Sequence, residues 1–142
     1  MGTIIRSCDA LEIDGLVITG HSVDLYDPDT ISSSMGSFFK LPTARIDSNE
    51  EMQGFVSELR NQYPNMQIIG TSAHADLNID QCDFNIPTIL FIGNETTGLN
   101  NHYMQICDAM VTIPIGGSAS SLNVACAASI VMYEVRRQRN FR

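Results

Sequence analysis

The sequence has 142 residues, of which 44% are hydrophobic and 17% are charged, and its formal net charge at pH 7 is −8. This length and composition suffice for one globular domain with a single core. The acidic balance argues against a protein that neutralises nucleic-acid phosphates over its whole surface, and no apolar run approaches the roughly 18 residues of a membrane helix.

The N-terminal residues indicate the cellular compartment, and the spacing of the cysteines argues against a metal site. Residues 1–10 lack the basic start and apolar run of a signal peptide, so we expect a soluble, cytoplasmic protein without a membrane partner. The cysteines are Cys8, Cys82, Cys107 and Cys126. They are widely spaced and form no CxxC pair, so we expect buried thiols and no metal site.

The first half of the chain alternates predicted helices and strands. We predict a helix over Thr3 to Ala10, the strand LVITG (16–20), a helix within DPDTISSSMGSFF (27–39) and the strand TARID (43–47). The next helix, SNEEMQGFVSELRNQY, begins at Ser48 with Glu51 three residues on, which is the pattern of a capping box. Its apolar residues fall on one face, and Pro64 ends it.

The second half continues the alternation. We predict the strands MQIIGTS (66–72) and TILFIG (88–93), a short helix around NHYMQIC (101–107), the strand MVTIPI (110–115) and a terminal helix from about Ser121. Strands such as TILFIG are continuous apolar runs, which is typical of a sheet covered by helices on both faces. We therefore predict one α/β domain over residues 1–142 with a mainly parallel sheet and helices on both faces.

Three loops should meet at one edge of this sheet, because ligands of parallel sheets bind outside the carboxyl ends of the strands. They are GTSAHAD (70–76), GNETTGL (93–99) and IGGSASSLN (115–123). They offer backbone amides, hydroxyls and polar side chains but no cation, since no Lys or Arg occurs from Asn61 to Val135. A positively charged ligand, or one with an adenine and a ribose, fits best, although a phosphate on the last helix stays open. No P-loop or dinucleotide-binding motif occurs.

Glycines and arginines of the second half each allow two interpretations. Gly93, Gly98, Gly116 and Gly117 either turn the chain or let backbone approach a ligand. Four of the eight basic residues lie in the last seven positions: Arg136, Arg137, Arg139 and Arg142. They either complement the dipole of a helix C-terminus or form a short basic edge that contacts a polyanion.

Three segments resemble the motifs of one family. GTIIRSCDALEIDGLVITG (2–20), LFIGNETTGL (90–99) and IPIGGSASSLNVACAASIVMYEVRRQR (113–139) resemble, in order, those of the SpoU-type (TrmH-like) RNA 2′-O-ribose methyltransferases of the SPOUT superfamily. The third is the most specific, because Ile-Pro, Ser-Leu-Asn and Arg-Gln-Arg occur at fixed offsets. The resemblance implies a C-terminal deep trefoil knot that binds S-adenosylmethionine. Small residues from Gly116 to Ser121 would let the chain pass tightly through itself and around a cationic sulfonium.

The resemblance also implies roles for single residues. Its cofactor-binding positions are Thr71, Gly93, Ile113, Ile115, Leu122 and Asn123, and its catalytic positions are Arg6, Ser121 and Glu95. Arg6 matches the catalytic arginine, Ser121 lies near the reacting ribose, and Glu95 orients the site. Arg6 either accepts a proton after desolvation or donates to a phosphate and the forming alkoxide. For Ile113 and Leu122, core packing is an equal alternative.

The resemblance implies an RNA partner, rRNA rather than tRNA, and a homodimer. The dimer would use the apolar face of the last helix, unless that face is only core; its residues are Val124, Ala127, Ala128 and Val131. The family's first strand and an Asn two residues before Gly2 would precede Met1, so we expect an N-terminally truncated catalytic domain without an RNA-binding extension. One alternative is a non-catalytic dimeric cofactor- or RNA-binding domain, and another is a phosphate- or nucleotide-binding enzyme.

Overall fold

A computed structural model describes residues 1–20, 24–94 and 96–141. Its helices are α1 (Gly2–Ala10), α2 (Pro28–Ser33), α3 (Asn49–Gln62), α4 (Asn101–Ile106) and α5 (Val124–Gln138). Its strands are β1 (Leu16–Thr19), β2 (Thr43–Ile46), β3 (Gln67–Thr71), β4 (Leu77–Asn78), β5 (Thr88–Phe91) and β6 (Ala109–Thr112). Short 3-10 turns lie at Ser37–Phe39 and Ile79–Gln81. Each helix and strand predicted from the sequence is present, with some changed bounds.

The chain divides into two compact units, Met1–Ser57 and Glu58–Arg142. In the first unit β1 pairs with β2 in parallel, and α1 packs on α2 and on the turn Ser37–Phe39. In the second unit four parallel strands take the order β4-β6-β3-β5. The ladders of the described strands are all parallel, which confirms the predicted α/β class. The prediction of a single domain over residues 1–142 stays a prediction.

The start of α3 follows its sequence closely. The Ser48 hydroxyl accepts a hydrogen bond from the Glu51 amide at 3.1 Å, and the Glu51 carboxylate accepts one from the Asp47 amide at 3.2 Å. The predicted capping box is therefore present, with its return bond one residue earlier than expected. The helix ends at Gln62, before Pro64, as predicted.

Helices cover both faces of the second unit's sheet. On one face, α5 packs Val131 and Val135 against Ile69 and Val111, all four at most 5% exposed. Burying each such side chain contributes roughly 1.5–3 kcal/mol. On the other face, α4 lies over β3, and the rings of Phe91 and Tyr103 stand 5.4 Å apart. The predicted layering is confirmed for this unit.

Three local predictions need correction. The helix predicted within 27–39 extends only over Pro28–Ser33, because Met35 and Gly36 take φ values of 54° and 88°, which no α-helix accommodates. The last helix begins at Val124 rather than near Ser121, because Asn123 caps it. The sequence analysis also missed β4, a two-residue strand too short to show a hydrophobic period.

The cysteines are all free thiols, but they are not all buried. Cys8 and Cys82 are buried, whereas Cys107 is half-buried and Cys126 is exposed. The prediction of a buried thiol is therefore wrong for Cys126, which lies in the first turn of α5 on a face that the chain leaves open to solvent.

Candidate functional site

The predicted loops follow neighbouring strands at one edge of the second unit's sheet. Strand β3 lies between β5 and β6, with Gly70 opposite Phe91 and Thr71 opposite Val111. The Thr71 hydroxyl donates to the Phe91 carbonyl at 3.2 Å, which ties the ends of β3 and β5 together. The register therefore brings Thr71 and the residues two places beyond β5 and Val111, Gly93 and Ile113, to the same edge.

The loop after β5 is folded tightly on itself. The Asn94 side-chain oxygen accepts hydrogen bonds from the Thr96 amide at 3.0 Å and the Thr97 amide at 2.7 Å. A Cβ at Gly93 would clash with the backbone of Gly98, which itself has a φ of 68°. Both glycines are therefore required by the fold of this loop, so the turn interpretation is correct for them without excluding a ligand contact.

The segment 113–122, between β6 and α5, contrasts with that loop. Its residues 114–121 are all exposed, and within the described chain no backbone amide of 113–122 donates a hydrogen bond. A Cβ at Gly116 or Gly117 would meet no atom within 4 Å, and neither glycine has a positive φ. The tight passage predicted for Gly116 to Ser121 is therefore not seen around these two glycines, and the backbone amides of the segment have no acceptor within the described chain.

The other predicted residues of this segment differ in burial. Ile113 is half-buried and packs against the core cluster, so the core interpretation is correct for it without excluding a ligand contact. Leu122 is half-buried, whereas Ile115 is 38% exposed and Ser121 is exposed. Exposed apolar and hydroxyl groups thus both occur along a segment that leads directly into α5.

Asn123 has a structural role that the sequence analysis missed. Its side-chain oxygen accepts hydrogen bonds from the Ala125 amide at 2.9 Å and the Cys126 amide at 3.3 Å, which caps the N-terminus of α5. The signal was present, since Asn is a preferred N-cap residue before an apolar run.

Two predicted catalytic residues are not part of the site that the second unit builds from its described residues. Arg6 is exposed on α1, in the first unit, and no side-chain hydrogen bond or ion pair of Arg6 occurs within the described chain. Glu95 lies outside the described residues. The candidate site of the second unit therefore consists of its loops and of Ser121.

The arginines at the C-terminal end of α5 contact other groups of the same chain. Arg139 donates to the carbonyls of Phe84 and Ile86 at 2.7 and 2.8 Å, and Arg137 forms an ion pair with Glu134 at 2.8 Å. Arg136 is 8% exposed and lies over the ring of Phe141. The hydrogen bonds from Arg137, and then that from Gln138, hold the pKa of Glu134 below its usual value against the opposing effect of burial. The predicted basic edge is thus largely engaged in the fold; Arg142 lies outside the described residues.

An open cleft of about 400 Å³ borders the first loop. Its lining residues are Ser72, His74, Ala75, Asp76, Leu77, Met104, Ala109 and Met110. The sequence selected the loop but not Met104 or Met110, because nothing in the sequence places α4 beside β6. At the end of α4, burial raises the pKa of Cys107 to about 11, so this residue supplies no thiolate nucleophile at neutral pH.

Two classes of feature are missing from the described part of the chain. None of its helices is long and apolar enough to cross a membrane. Across residues 1–20, 24–94 and 96–141, no cluster of His, Cys, Asp or Glu side chains is arranged to hold a metal ion.

Known proteins are similar to this chain in sequence and in architecture. Residues 1–133 match the SpoU rRNA Methylase family. The 23S rRNA (uridine(2479)-2′-O)-methyltransferase of Streptomyces viridochromogenes is 47% identical over 98% of the chain and 48% of its own length. The 23S rRNA (guanosine(2553)-2′-O)-methyltransferase RlmP of Bacillus subtilis is 29% identical over 96% of the chain and 52% of its own length.

The similarity to one solved structure extends to the three-dimensional fold. The crystal structure of the SpoU methyltransferase AviRb from Streptomyces viridochromogenes, in complex with the cofactor AdoMet, superimposes with a TM-score of 0.93. It is 47% identical, and the match covers 98% of this chain and 52% of that one. The chain thus spans about half the length of the relatives that it matches.

Proposed function

Because the chain belongs to the SpoU rRNA methylase family, we propose that it is an S-adenosylmethionine-dependent RNA 2′-O-ribose methyltransferase acting on rRNA. Two relatives named as 23S rRNA 2′-O-methyltransferases support this activity and favour rRNA over tRNA. The crystallisation of AviRb with AdoMet supports the cofactor. The same names favour an enzyme over a non-catalytic binding domain.

The observation that carries the proposal is the set of backbone amides at 113–122 that find no acceptor among the described residues, in the segment that follows β6 at the edge where β3 also ends. When bound, S-adenosylmethionine supplies a methyl group carried on a positively charged sulfonium. A site without Lys or Arg from Asn61 to Val135 does not repel that charge. The residues that would hold the cofactor are Thr71, Gly93, Ile113, Ile115, Leu122 and Asn123.

Arg6 and Ser121 are proposed to act on the RNA. Attack by a ribose 2′-hydroxyl needs loss of its proton, and the forming alkoxide needs a donor. Arg6 is exposed on α1, so the chain itself does not supply the desolvation that a proton acceptor would need. We therefore assign Arg6 to donating to the phosphate and the alkoxide, Ser121 to the ribose, and Glu95 to orienting the site. The oxygen–methyl bond forms as the methyl–sulfur bond breaks, S-adenosylhomocysteine leaves as a neutral thioether, and the hydroxyl proton passes to water.

The structure of α5 assigns the proposed dimer contact to other residues than the sequence did. Ala128 and Val131 are completely buried within the second unit, so the core interpretation is correct for them. Ile130, Tyr133 and Phe141 are 39%, 52% and 53% exposed on or just after the same helix. We propose that these three contact a second copy of the chain. Sedimentation velocity should give a dimer that Tyr133→Glu dissociates; a monomeric parent protein at high concentration would contradict the proposal.

A trefoil knot through 92–123 is proposed from the family resemblance. Threading would place the segment 113–122 against the loop after β5 and assemble the cofactor site from both. A crystal structure with continuous density through both loops tests this directly. An unthreaded path would overturn the knot but leave the enzymatic proposal to its own test.

The activity is tested by incubating the protein with methyl-labelled S-adenosylmethionine and 23S rRNA prepared without 2′-O-methylation. We expect label on a ribose, seen as an alkali-resistant dinucleotide after hydrolysis. Arg6→Ala should abolish transfer while leaving cofactor binding intact, and Arg6→Lys should restore little because Lys lacks the bidentate fork. Cofactor binding without ribose label from any RNA would instead establish the binding-domain alternative.

A further inference from the structure

The first unit carries an exposed basic side chain besides Arg6, Lys40, that has no side-chain hydrogen bond or ion pair among the described residues. In residues 1–20, 24–94 and 96–141, five of the seven basic residues contact protein groups: Arg45, Arg60, Arg136, Arg137 and Arg139. The other two, Arg6 and Lys40, are exposed, and no side-chain hydrogen bond or ion pair engages them there. Among the described residues, Arg6 and Lys40 thus offer basic groups for an anion that no protein group engages there.

Lys40 directly follows a row of three aromatic rings. Phe38 meets Tyr26 edge to face at 5.8 Å and Phe39 edge to face at 5.3 Å. Phe38 is half-buried, but Tyr26 and Phe39 are 73% and 78% exposed. The middle ring thus contacts two outer rings that are largely exposed to solvent and that offer aromatic surface on which a ligand could stack.

Helix α1 places this row near Arg6. The Ser37 hydroxyl donates to the Asp9 carboxylate at 2.7 Å, which fixes the turn Ser37–Phe39 to α1. Arg6 precedes Asp9 by three residues and therefore lies on the same helix face, roughly 5 Å along the axis. The turn that carries Phe38 and Phe39 is consequently fixed to the same helix, α1, that carries the proposed catalytic arginine.

Nearby acidic residues restrict what this surface binds. Asp24 and Asp27 accept hydrogen bonds from the amides of Tyr26 and Asp29, so their carboxylates are held in place. Such charges oppose a run of phosphates, which disfavours a duplex. Unpaired bases, in contrast, are bound by stacking on exposed aromatic rings with few phosphate contacts.

We propose that Tyr26, Phe39 and Lys40 bind unpaired nucleotides next to the ribose that is methylated, with bases stacked on the two rings and Lys40 on one phosphate. This inference rests on the proposed function, since RNA is the substrate proposed there. It adds a surface that positions the target strand, and it predicts that the enzyme prefers a single-stranded or looped site over a helical one.

The test measures anisotropy of a fluorescein-labelled single-stranded RNA dodecamer of mixed sequence, with the matching duplex as a second probe. Phe39→Leu and Tyr26→Leu keep apolar bulk but remove the ring, and each should weaken single-strand binding about tenfold. Lys40→Gln should lower the slope of log Kd against log salt by about 0.7. Tyr63→Leu, another exposed aromatic, is the matched control and should change nothing.

Each outcome separates this proposal from the proposed function. Unchanged RNA affinity in Phe39→Leu, equal affinity for the duplex, or no binding below about 100 µM would overturn the surface. Sedimentation velocity tests the alternative that the rings contact another protein molecule. A changed oligomeric state in the variants, with unchanged RNA affinity, would assign the rings to a protein contact. If parent protein binds RNA through the rings but transfers no methyl group, the surface stands and the enzymatic proposal falls. If Phe39→Leu transfers methyl groups normally at an unchanged KM, the enzymatic proposal stands and the surface falls.

Discussion

The two ends of helix α5 are held very differently. At its C-terminal end, Gln138 donates to the Cys82 carbonyl at 2.9 Å and accepts from the Phe84 amide at 2.8 Å, and Arg139 bonds the carbonyls of Phe84 and Ile86. At its N-terminal end, residues 113–122 donate no backbone hydrogen bond within the described chain. Charged and amide side chains therefore secure the fold at the C-terminal end, while the uncharged segment before the N-terminal end has free amides, within the described chain, that we propose bind a ligand.

This comparison shows why a cluster of arginines in a sequence is a poor guide to an RNA site. Their spacing allowed a basic edge, but buried carbonyls need donors, and a guanidinium satisfies two at once. The part of the unit with no cation is the part that we propose binds the cofactor. Variants at either end should separate stability from binding.

The largest expected effect is that of Gly93→Ala. A Cβ there would clash with the carbonyl carbon of Gly98 and the amide nitrogen of Leu99, backbone atoms that a rotamer change does not move. We expect a loss of about 3 kcal/mol in the free energy of unfolding, measured by urea denaturation. Gly116→Ala, with open space around it, is the control. Equal stability of the two variants would show that the loop after β5 is not closed on itself.

Arg139→Ala should come next. It leaves the carbonyls of Phe84 and Ile86 without their donor, and Phe84 is completely buried. The free energy of unfolding should fall by about 2 kcal/mol, with cofactor affinity unchanged. Arg139→Lys should recover part of the lost free energy of unfolding, because a single ammonium replaces the two-pronged guanidinium that donates to both carbonyls. A loss of RNA affinity without a loss of stability would instead support the interpretation that Arg139 belongs to a basic edge that contacts RNA.

Glu134→Gln should have a smaller, pH-dependent effect of about 1 kcal/mol. Hydrogen bonds from Arg137 and Gln138 lower the pKa of Glu134, so its stabilisation is present above the ordinary value of 4.5 and is lost as pH falls through the lower folded pKa. Denaturation midpoints of parent and variant should therefore differ at pH 7 and converge in acid. A constant difference down to pH 3 would mean that the carboxylate charge is not the cause.

Gly117→Val should have the smallest effect on stability, below about 0.5 kcal/mol, because open space surrounds that position. If 113–122 binds the cofactor, the side chain should nevertheless raise the Kd for S-adenosylmethionine in calorimetry. Tight binding by both proteins would place the cofactor elsewhere.

The fold was largely predictable, because its signals are local. The run TILFIG, the Ser48 cap and Pro64 each act through neighbouring residues, and the elements that they predict are present. The break at Met35 was not predictable, since a positive φ at a non-glycine residue reflects packing rather than preference.

The site was predictable only in part. The carboxyl-edge rule selected the loops that follow β3, β5 and β6, and the register brings Thr71, Gly93 and Ile113 to that edge. The bonds of Arg139 to Phe84 and Ile86 span more than 50 positions, so no local pattern contains them. The same holds for the row from Tyr26 to Phe39, whose exposure depends on how α1 and α2 pack.

The most direct test is a titration of ¹⁵N-labelled protein with S-adenosylmethionine, followed by amide chemical shifts. The account predicts large, saturable changes at Thr71, at Gly93 and across 113–122, and small changes at 134–139. Saturable changes centred on 134–139, or no changes at millimolar cofactor, would contradict the assignment of the two ends of α5.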